Sequence, residues 1–414
     1  MPDLCDPHDR RDPPAVGLAL AGGVVEGGFY EVGVLCALED AVAGLALDAL
    51  DVYVGVSSGA LLSALLANGV GPRALSRAVI GEAGPDLDLS PEILFDPAWG
   101  DYVRSALRVP RVLAATLRRL VAGAESPYAL LLELGAAVPA GLFAGRTVER
   151  YLAAALARDG RTDDFRQLAT RLRVVAVDLD TSALVDFGTP DTAHVPISRA
   201  VRASIALPGL YGPVEIDGRY YIDGVARRTM HASVALREGV RLLFCVNPIV
   251  PVDVRGSGGV TGRGPLARYG LPAVLSQTFR TLVHSRMTAG FEHYRHAYPE
   301  ADVVLIEPDA TDHRLFFSNV FSFANRRAVT EHAYQSTRRW LRANAERLTP
   351  MLARHGLALR ADVLADTSRT LYPAQPGEPR ATSASPAPAS GAGIGGLLAR
   401  LDGAIERVAA IVPR

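Results

Sequence analysis

Residues 51–69 read DVYVGVSSGALLSALLANG, and the reading of this stretch decides the fold. VYVG is short and almost wholly apolar, the pattern of a strand buried on both faces, and ALLSALLA behind it is built of good helix formers. Between the two, GVSSG places Gly55 two residues before Ser57 and Gly59 two residues after it. A serine nucleophile on a strand-to-helix elbow needs such neighbours. Its backbone is strained, and a side chain at either flanking position would strike the turn. A chain with 39 glycines also reaches this pattern by chance, so the surrounding sequence must separate a nucleophile from a small-residue turn.

Upstream the same rhythm occurs once more: AVGLALAG reads as a buried strand, followed by a glycine turn and a helix through GGFYEVGVLCALEDAV. Two successive strand-turn-helix units predict an α/β fold with a mainly parallel central sheet sandwiched by helices. Later strands are expected at RLRVVAVDLD, RYYIDG, RLLFCVNPIV and ADVVLIEP, and helices around 146–157, 273–297 and 326–355. This gives a flexible lead over 1–15 and one α/β domain over 16–356, with its motifs in 16–250 and a helical remainder in 251–356. Residues 357–393, rich in proline, alanine and serine, read as a disordered linker. Beyond it Ile394, Leu397, Leu398, Leu401, Ile405 and Val408 make one apolar stripe, so 394–414 reads as a short amphipathic helix able to bind a partner or a membrane.

Composition excludes several chemistries. The chain has 414 residues, 49% hydrophobic and 21% charged, with a formal net charge of -1, and nothing in that balance attracts nucleic acid. All 43 basic residues are arginine. No lysine means no Schiff base, no pyridoxal anchor, no P-loop lysine and no serine-lysine dyad. Cys5, Cys36 and Cys245 are far apart and lack metal-ligand spacing, so neither a disulfide framework nor a metal site is expected, and no cofactor. A cytoplasmic protein, at most peripheral to a membrane, fits these features.

A serine hydroxyl needs a base. Asp223 closes the apolar block ASIALPGLYGPVEIDGRYYIDGV and is followed by Gly224, a pairing that in isolation is an ordinary turn. Acyl transfer also needs donors for an oxyanion. The glycine turn in LALAGGVVEGG, with Gly22, Gly23, Gly27 and Gly28, presents backbone N–H groups unobstructed by side chains. A nucleotide phosphate is the competing ligand, but the turn does not fit G-x-G-x-x-G.

Taken together, the glycine turn at 22–28, the elbow GVSSG and the block AVRASIALPGLYGPVEIDGRYYIDG, ending in DGV, resemble the patatin-like phospholipases over roughly residues 15–250. The resemblance implies a patatin-like fold, a lipid ester substrate and a serine-aspartate dyad, with Ser57 as nucleophile, Asp223 as base and Gly22, Gly23, Gly27 and Gly28 around the oxyanion. Two departures stand out. The family usually has three consecutive glycines and then a basic residue, whereas this chain has GGVVEGG, with Glu26 near the basic position and one residue too many for a gapless match, and its second motif ends DGV rather than DGG or DGA.

Two rival readings stay open. His231, His284 or His332 would complete a Ser-Asp-His triad of the α/β-hydrolase type. Alternatively, the altered glycine turn belongs to a lipid-binding or scaffolding protein with little turnover. Two segments bear on lipid access. WGDYVRSALRVPRVLAATLRRLVA, residues 99–122, has five arginines against one acid and reads either as a helix packed on the core or as a membrane-surface segment, broken into two pieces by Pro110. LFFSNVFSF, residues 315–323, reads as core or as the wall of an acyl tunnel.

Overall fold

The structure, a computed structural model, describes residues 16–121, 140–158, 160–254, 265–312 and 323–373. In chain order the strands are β1 (Val16–Leu20), β2 (Val42–Ala43), β3 (Val52–Gly55), β4 (Gly141–Phe143), β5 (Arg171–Asp178), β6 (Leu184–Phe187), β7 (Gly209–Tyr211), β8 (Val214–Ile216), β9 (Arg219–Asp223), β10 (Leu242–Val246), β11 (Asp302–Ile306) and β12 (Ala358–Leu359). The α-helices are α1 (Val24–Ala41), α2 (Ser58–Ala67), α3 (Pro72–Ile80), α4 (Pro91–Leu94), α5 (Trp99–Val121), α6 (Arg146–Leu156), α7 (Ile197–Ser204), α8 (Ala232–Arg237), α9 (Gly270–Ala297), α10 (Arg326–Ala343), α11 (Ala345–Ala353) and α12 (Ala361–Ala365).

The main sheet runs β11-β10-β1-β3-β5-β9-β8, with β6 also on β5. Its first five strands are parallel, β9 and β6 pair antiparallel with β5, and β8 pairs antiparallel with β9. The fold is thus mixed α/β, with a central, mostly parallel sheet flanked by helices. Strand side chains alternate between two cores. Leu18, Leu20, Tyr53 and Phe244 enter the larger one, beneath α1, α2 and α10. Ala19, Val52, Val54 and Cys245 enter the smaller, against α8 and α9. Burial on both faces is why these strands read as continuous apolar runs.

One register detail positions the site. On β5, Val174 pairs with both Gly55 of β3 and Phe187 of β6, so those two strands take opposite edges. Ala176 pairs with both Val185 of β6 and Asp223 of β9, so those two also take opposite edges. β3 and β9 therefore follow one another along the same edge. Asp223 lies opposite Ala176, two residues beyond the end of β3, where the chain turns through Val56 and Ser57.

Two expectations need correction. The linker does not begin at 357. β12 pairs with β2, Leu371 and Tyr372 are buried, and the Tyr372 hydroxyl donates to the Ser76 carbonyl at 3.0 Å. Leu357, Val363, Leu364, Leu371 and Tyr372 are apolar anchors in an otherwise polar stretch, and the compact unit runs to Tyr372. Nor does Pro110 split its helix: α5 is continuous. Pro110 and Ala106 are both exposed, so the carbonyl four residues before the proline meets water. The lead 1–15, the helix expected at 394–414 and all of LFFSNVFSF except Phe323 lie outside the described residues. Phe323 is core, with ring centroids 5.4 Å from Phe29 and 6.2 Å from Phe95. No helix among the described residues is long and apolar enough to cross a membrane.

Candidate active site

Ser57 sits between β3 and α2 with φ 54° and ψ -122°, a strained conformation for a residue with a side chain. The flanking glycines make it attainable. A Cβ on Gly55 would lie 2.5 Å from the Gly59 carbonyl oxygen, and one on Gly59 would lie 2.6 Å from the Leu20 oxygen and 2.7 Å from that of Ala21. These are backbone atoms of the sheet and the elbow, with little room to yield. Gly59→Ala should therefore lower stability by about 3 kcal/mol, read as a shift in the urea midpoint at unchanged slope.

The elbow is tied down by residues that the sequence did not single out. The Ser57 amide donates to Ser204 Oγ at 2.9 Å, and Ser204 Oγ donates to the Val175 carbonyl at 2.6 Å. Next to it, Ser58 Oγ accepts from the Gly23 amide at 3.0 Å and faces Glu31 Oε2 at 3.4 Å. Glu31 is fully buried, and burial pushes its carboxyl pKa well above the ordinary range, with the Ser58 hydroxyl opposing. Ser58 and Ser204 lie inside the quoted motifs without a role that the motifs assign, Glu31 lies in none, and only the pairing of distant segments reveals their part.

Asp223 ends β9 and is 0% exposed. Its Oδ1 accepts from the Val225 amide at 2.9 Å, while Oδ2 has no hydrogen-bond partner of ordinary geometry. Burial raises its pKa from 3.8 to about 7, with the Val225 amide and the nearby Ser57 hydroxyl pulling the other way. Gly224 permits the approach, since a Cβ there would meet the Val175 oxygen at 2.7 Å and the Val56 side chain at 3.0 Å. A carboxylate poised near neutrality beside a strained serine has the pKa a general base requires.

The glycine turn differs from expectation. α1 begins at Val24, so Gly27 and Gly28 lie inside it, and the Gly27 amide donates to the Gly23 carbonyl at 2.9 Å. The Gly22 amide donates to the Thr229 carbonyl at 3.0 Å. These glycines act through close packing instead. A Cβ on Gly22 would lie 3.0 Å from Ser57 Cβ, and one on Gly23 would lie 2.5 Å from the Pro248 ring. The amides of Val24 and Val25, in the first turn of α1, make no backbone hydrogen bond among the described residues, as the geometry of a helix start dictates. Val24 takes φ 56°, the left-handed region that a third glycine would occupy without strain. Glu26 is buried. Its field is felt by Arg280 of α9, whose pKa burial lowers and Glu26 raises.

An apolar pocket of about 70 Å³ opens on Ser57, walled by Val24, Phe29, Leu61, Leu62, Val148 and Leu210. Of the three candidate histidines, His284 faces Glu307 at 3.7 Å and His332 pairs with Asp312. His231 is buried, its pKa pulled down to about 4 mainly by burial, with Nε2 3.4 Å from the Gly224 carbonyl. Among the described residues none of the three hydrogen-bonds Ser57 or Asp223. His231→Gln should keep kcat within about tenfold of wild type at matched folded fraction, whereas removal of a triad histidine would lose several orders of magnitude.

The sequence pattern that defines the family Patatin-like phospholipase matches residues 18–236, a span holding the elbow, Asp223 and the glycine turn. The chain belongs to the patatin-like phospholipase family. Membership supports lipid acyl hydrolysis in general terms and lipids as the substrate class. Two solved structures of similar proteins are VipD from Legionella pneumophila and the type III effector protein ExoU. VipD is 16% identical, with 79% of this chain and 67% of that chain covered and a TM-score of 0.37. ExoU is 20% identical, with 78% and 52% covered and a TM-score of 0.29. The chain spans about half the length of ExoU. In this patatin-like chain the first motif reads GGVVEGG, with a strained valine after the second glycine and a buried glutamate near the usual basic position.

Proposed function

We propose that the protein hydrolyses carboxylic esters of lipids through a Ser57-Asp223 dyad and an acyl-enzyme. Asp223 takes the Ser57 proton as Oγ attacks the ester carbonyl, and the resulting oxyanion accepts from the amides of Val24 and Val25 at the positive end of α1. Collapse breaks the ester C–O bond, Asp223 returns its proton to the departing alkoxide, and the acyl group remains on Ser57. Water, deprotonated by Asp223, then attacks the acyl carbonyl and releases the fatty acid, restoring the serine.

The observation that carries this reading is the strained Ser57 beside a buried aspartate with one unsatisfied oxygen, at the mouth of an apolar pocket. The pocket suits an acyl chain. Lipid binding with little turnover draws on a different observation: Gly23 donates its amide to Ser58 rather than toward Ser57, and Val24 is strained. Mass-spectrometric profiling of a lipid extract separates the two. Fatty acid should accumulate with wild type and not with Ser57→Ala, while equal lipid retention by both proteins without hydrolysis would support binding alone.

A further inference from the structure

Large apolar side chains are concentrated on part of the surface. Thirteen are exposed among the described residues, and nine of them lie on just two helices. On α5 these are Trp99, Val103, Leu107 and Val109, the first three at four-residue spacing along one face and 58–69% exposed. Core packing of this segment does not hold for its first half, where these four side chains face solvent. On α9 they are Leu271, Val274, Leu275, Phe279 and Leu282, again on one face. α9 has already filled its core side with Met287 and Tyr294, so the exposed stripe is an additional apolar face.

Charge indicates what covers it. α9 has no acidic residue between 270 and 291, but it has Arg286, and Arg268 precedes it. α5 has Arg104, Arg108, Arg111, Arg118 and Arg119 against Asp101. Arg104, Arg108, Arg118, Arg268 and Arg286 are exposed. Apolar stripes edged by arginine and nearly free of acidic residues match the acyl-to-headgroup boundary of an anionic bilayer.

Neither helix lines the pocket, but each connects to segments next to it. Arg280 of α9 donates to the Val250 carbonyl at 3.2 Å and faces Glu26 of α1, and Gln277 donates to the Val252 carbonyl at 2.9 Å. α5 follows α4, whose Leu94 lines the Ser57 pocket.

We propose that α5 and α9 form the surface by which this protein lies on an anionic lipid bilayer, their apolar stripes entering the interface and their arginines meeting lipid phosphates. Delivery of lipid from that bilayer to Ser57 rests on the hydrolase reading, but docking itself does not.

The test uses full-length Ser57→Ala protein, which leaves lipids intact, sedimented with phosphatidylcholine vesicles with or without phosphatidylglycerol. Binding should require phosphatidylglycerol and fall as salt rises. Leu275→Asp/Phe279→Asp and Trp99→Asp/Leu107→Asp should each weaken it about tenfold or more, while Leu179→Asp, an exposed apolar position elsewhere, should not. Equal binding by all variants would overturn the proposal. So would no vesicle binding together with a solution mass that falls in the paired variants, which would assign the face to a second copy of the chain. Turnover of a water-soluble short-chain ester by wild type reports the hydrolase reading separately, so loss of one claim leaves the other standing or falling on its own result.

Discussion

Asp223→Asn should lower kcat by about a thousandfold or more and at the same time raise the melting temperature at pH 8. Both effects come from one buried carboxyl. As the base it must be ionised, and with a pKa of about 7 the wild-type rate should fall about tenfold per pH unit on the acid side of neutrality. The stability effect has the opposite sense. The folded-state pKa lies above the ordinary 3.8, so folding binds this proton more tightly than the unfolded chain does. The stabilisation from that proton is complete below pH 3.8 and is lost as pH rises through 7. At pH 8 the wild type carries an ionised, fully buried aspartate with one unsatisfied oxygen, a penalty on the order of 4 kcal/mol at most. Asparagine removes the charge and keeps an acceptor for the Val225 amide. Calorimetry at pH 8 and pH 4 should show the variant's advantage shrinking toward acid. Equal melting temperatures at both values, with activity retained, would show that Asp223 is neither charged in burial nor the base.

Ser57→Ala should lose at least about 10⁴ in kcat, the scale at which a nucleophile's removal leaves only binding and oxyanion stabilisation. Ser58 is the obvious substitute, being adjacent and also lining the pocket. It should not take over. Its Oγ is engaged by the Gly23 amide and faces Glu31, whose raised pKa favours the neutral acid. Ser57→Ala should also relieve little backbone strain, because alanine has the same Cβ at φ 54°. Circular dichroism should therefore report an unchanged fold beside the lost rate, and a residual rate within tenfold of wild type would mean another nucleophile.

Much of this arrangement was legible in the sequence, and for identifiable reasons. β1, β3 and β10 are buried on both faces, so their sequences are uninterrupted apolar runs, while β5 keeps an apolar centre between charged ends and β11 an apolar run after Asp302. The elbow announces itself through Gly55 and Gly59 because backbone contacts of 2.5–2.6 Å exclude any side chain there. What stayed hidden depends on distant pairing. Nothing local in RYYIDG says that β9 runs antiparallel to β5 on the edge that β3 vacates. Ser204 and Glu31 reach the site from positions to which no local pattern assigns a role. Gly27 and Gly28 read as turn residues on propensity, but tertiary packing overrides it: Gly27 sits against Pro248 inside α1. The segment 99–122 showed its amphipathicity plainly, yet periodicity does not say whether an apolar stripe meets a core or faces outward.

The measurement that bears most directly on the central claim is peptide mass spectrometry of the wild-type protein after reaction with a fluorophosphonate lipid analogue. The phosphonyl group stands in for the tetrahedral acyl centre, fluoride leaving as the serine oxygen attacks phosphorus. The account predicts a single stoichiometric adduct on Ser57, formed more slowly below pH 7 and nearly absent in Asp223→Asn. An adduct on any other residue, or labelling of Ser57 at the same rate in Asp223→Asn, would contradict it.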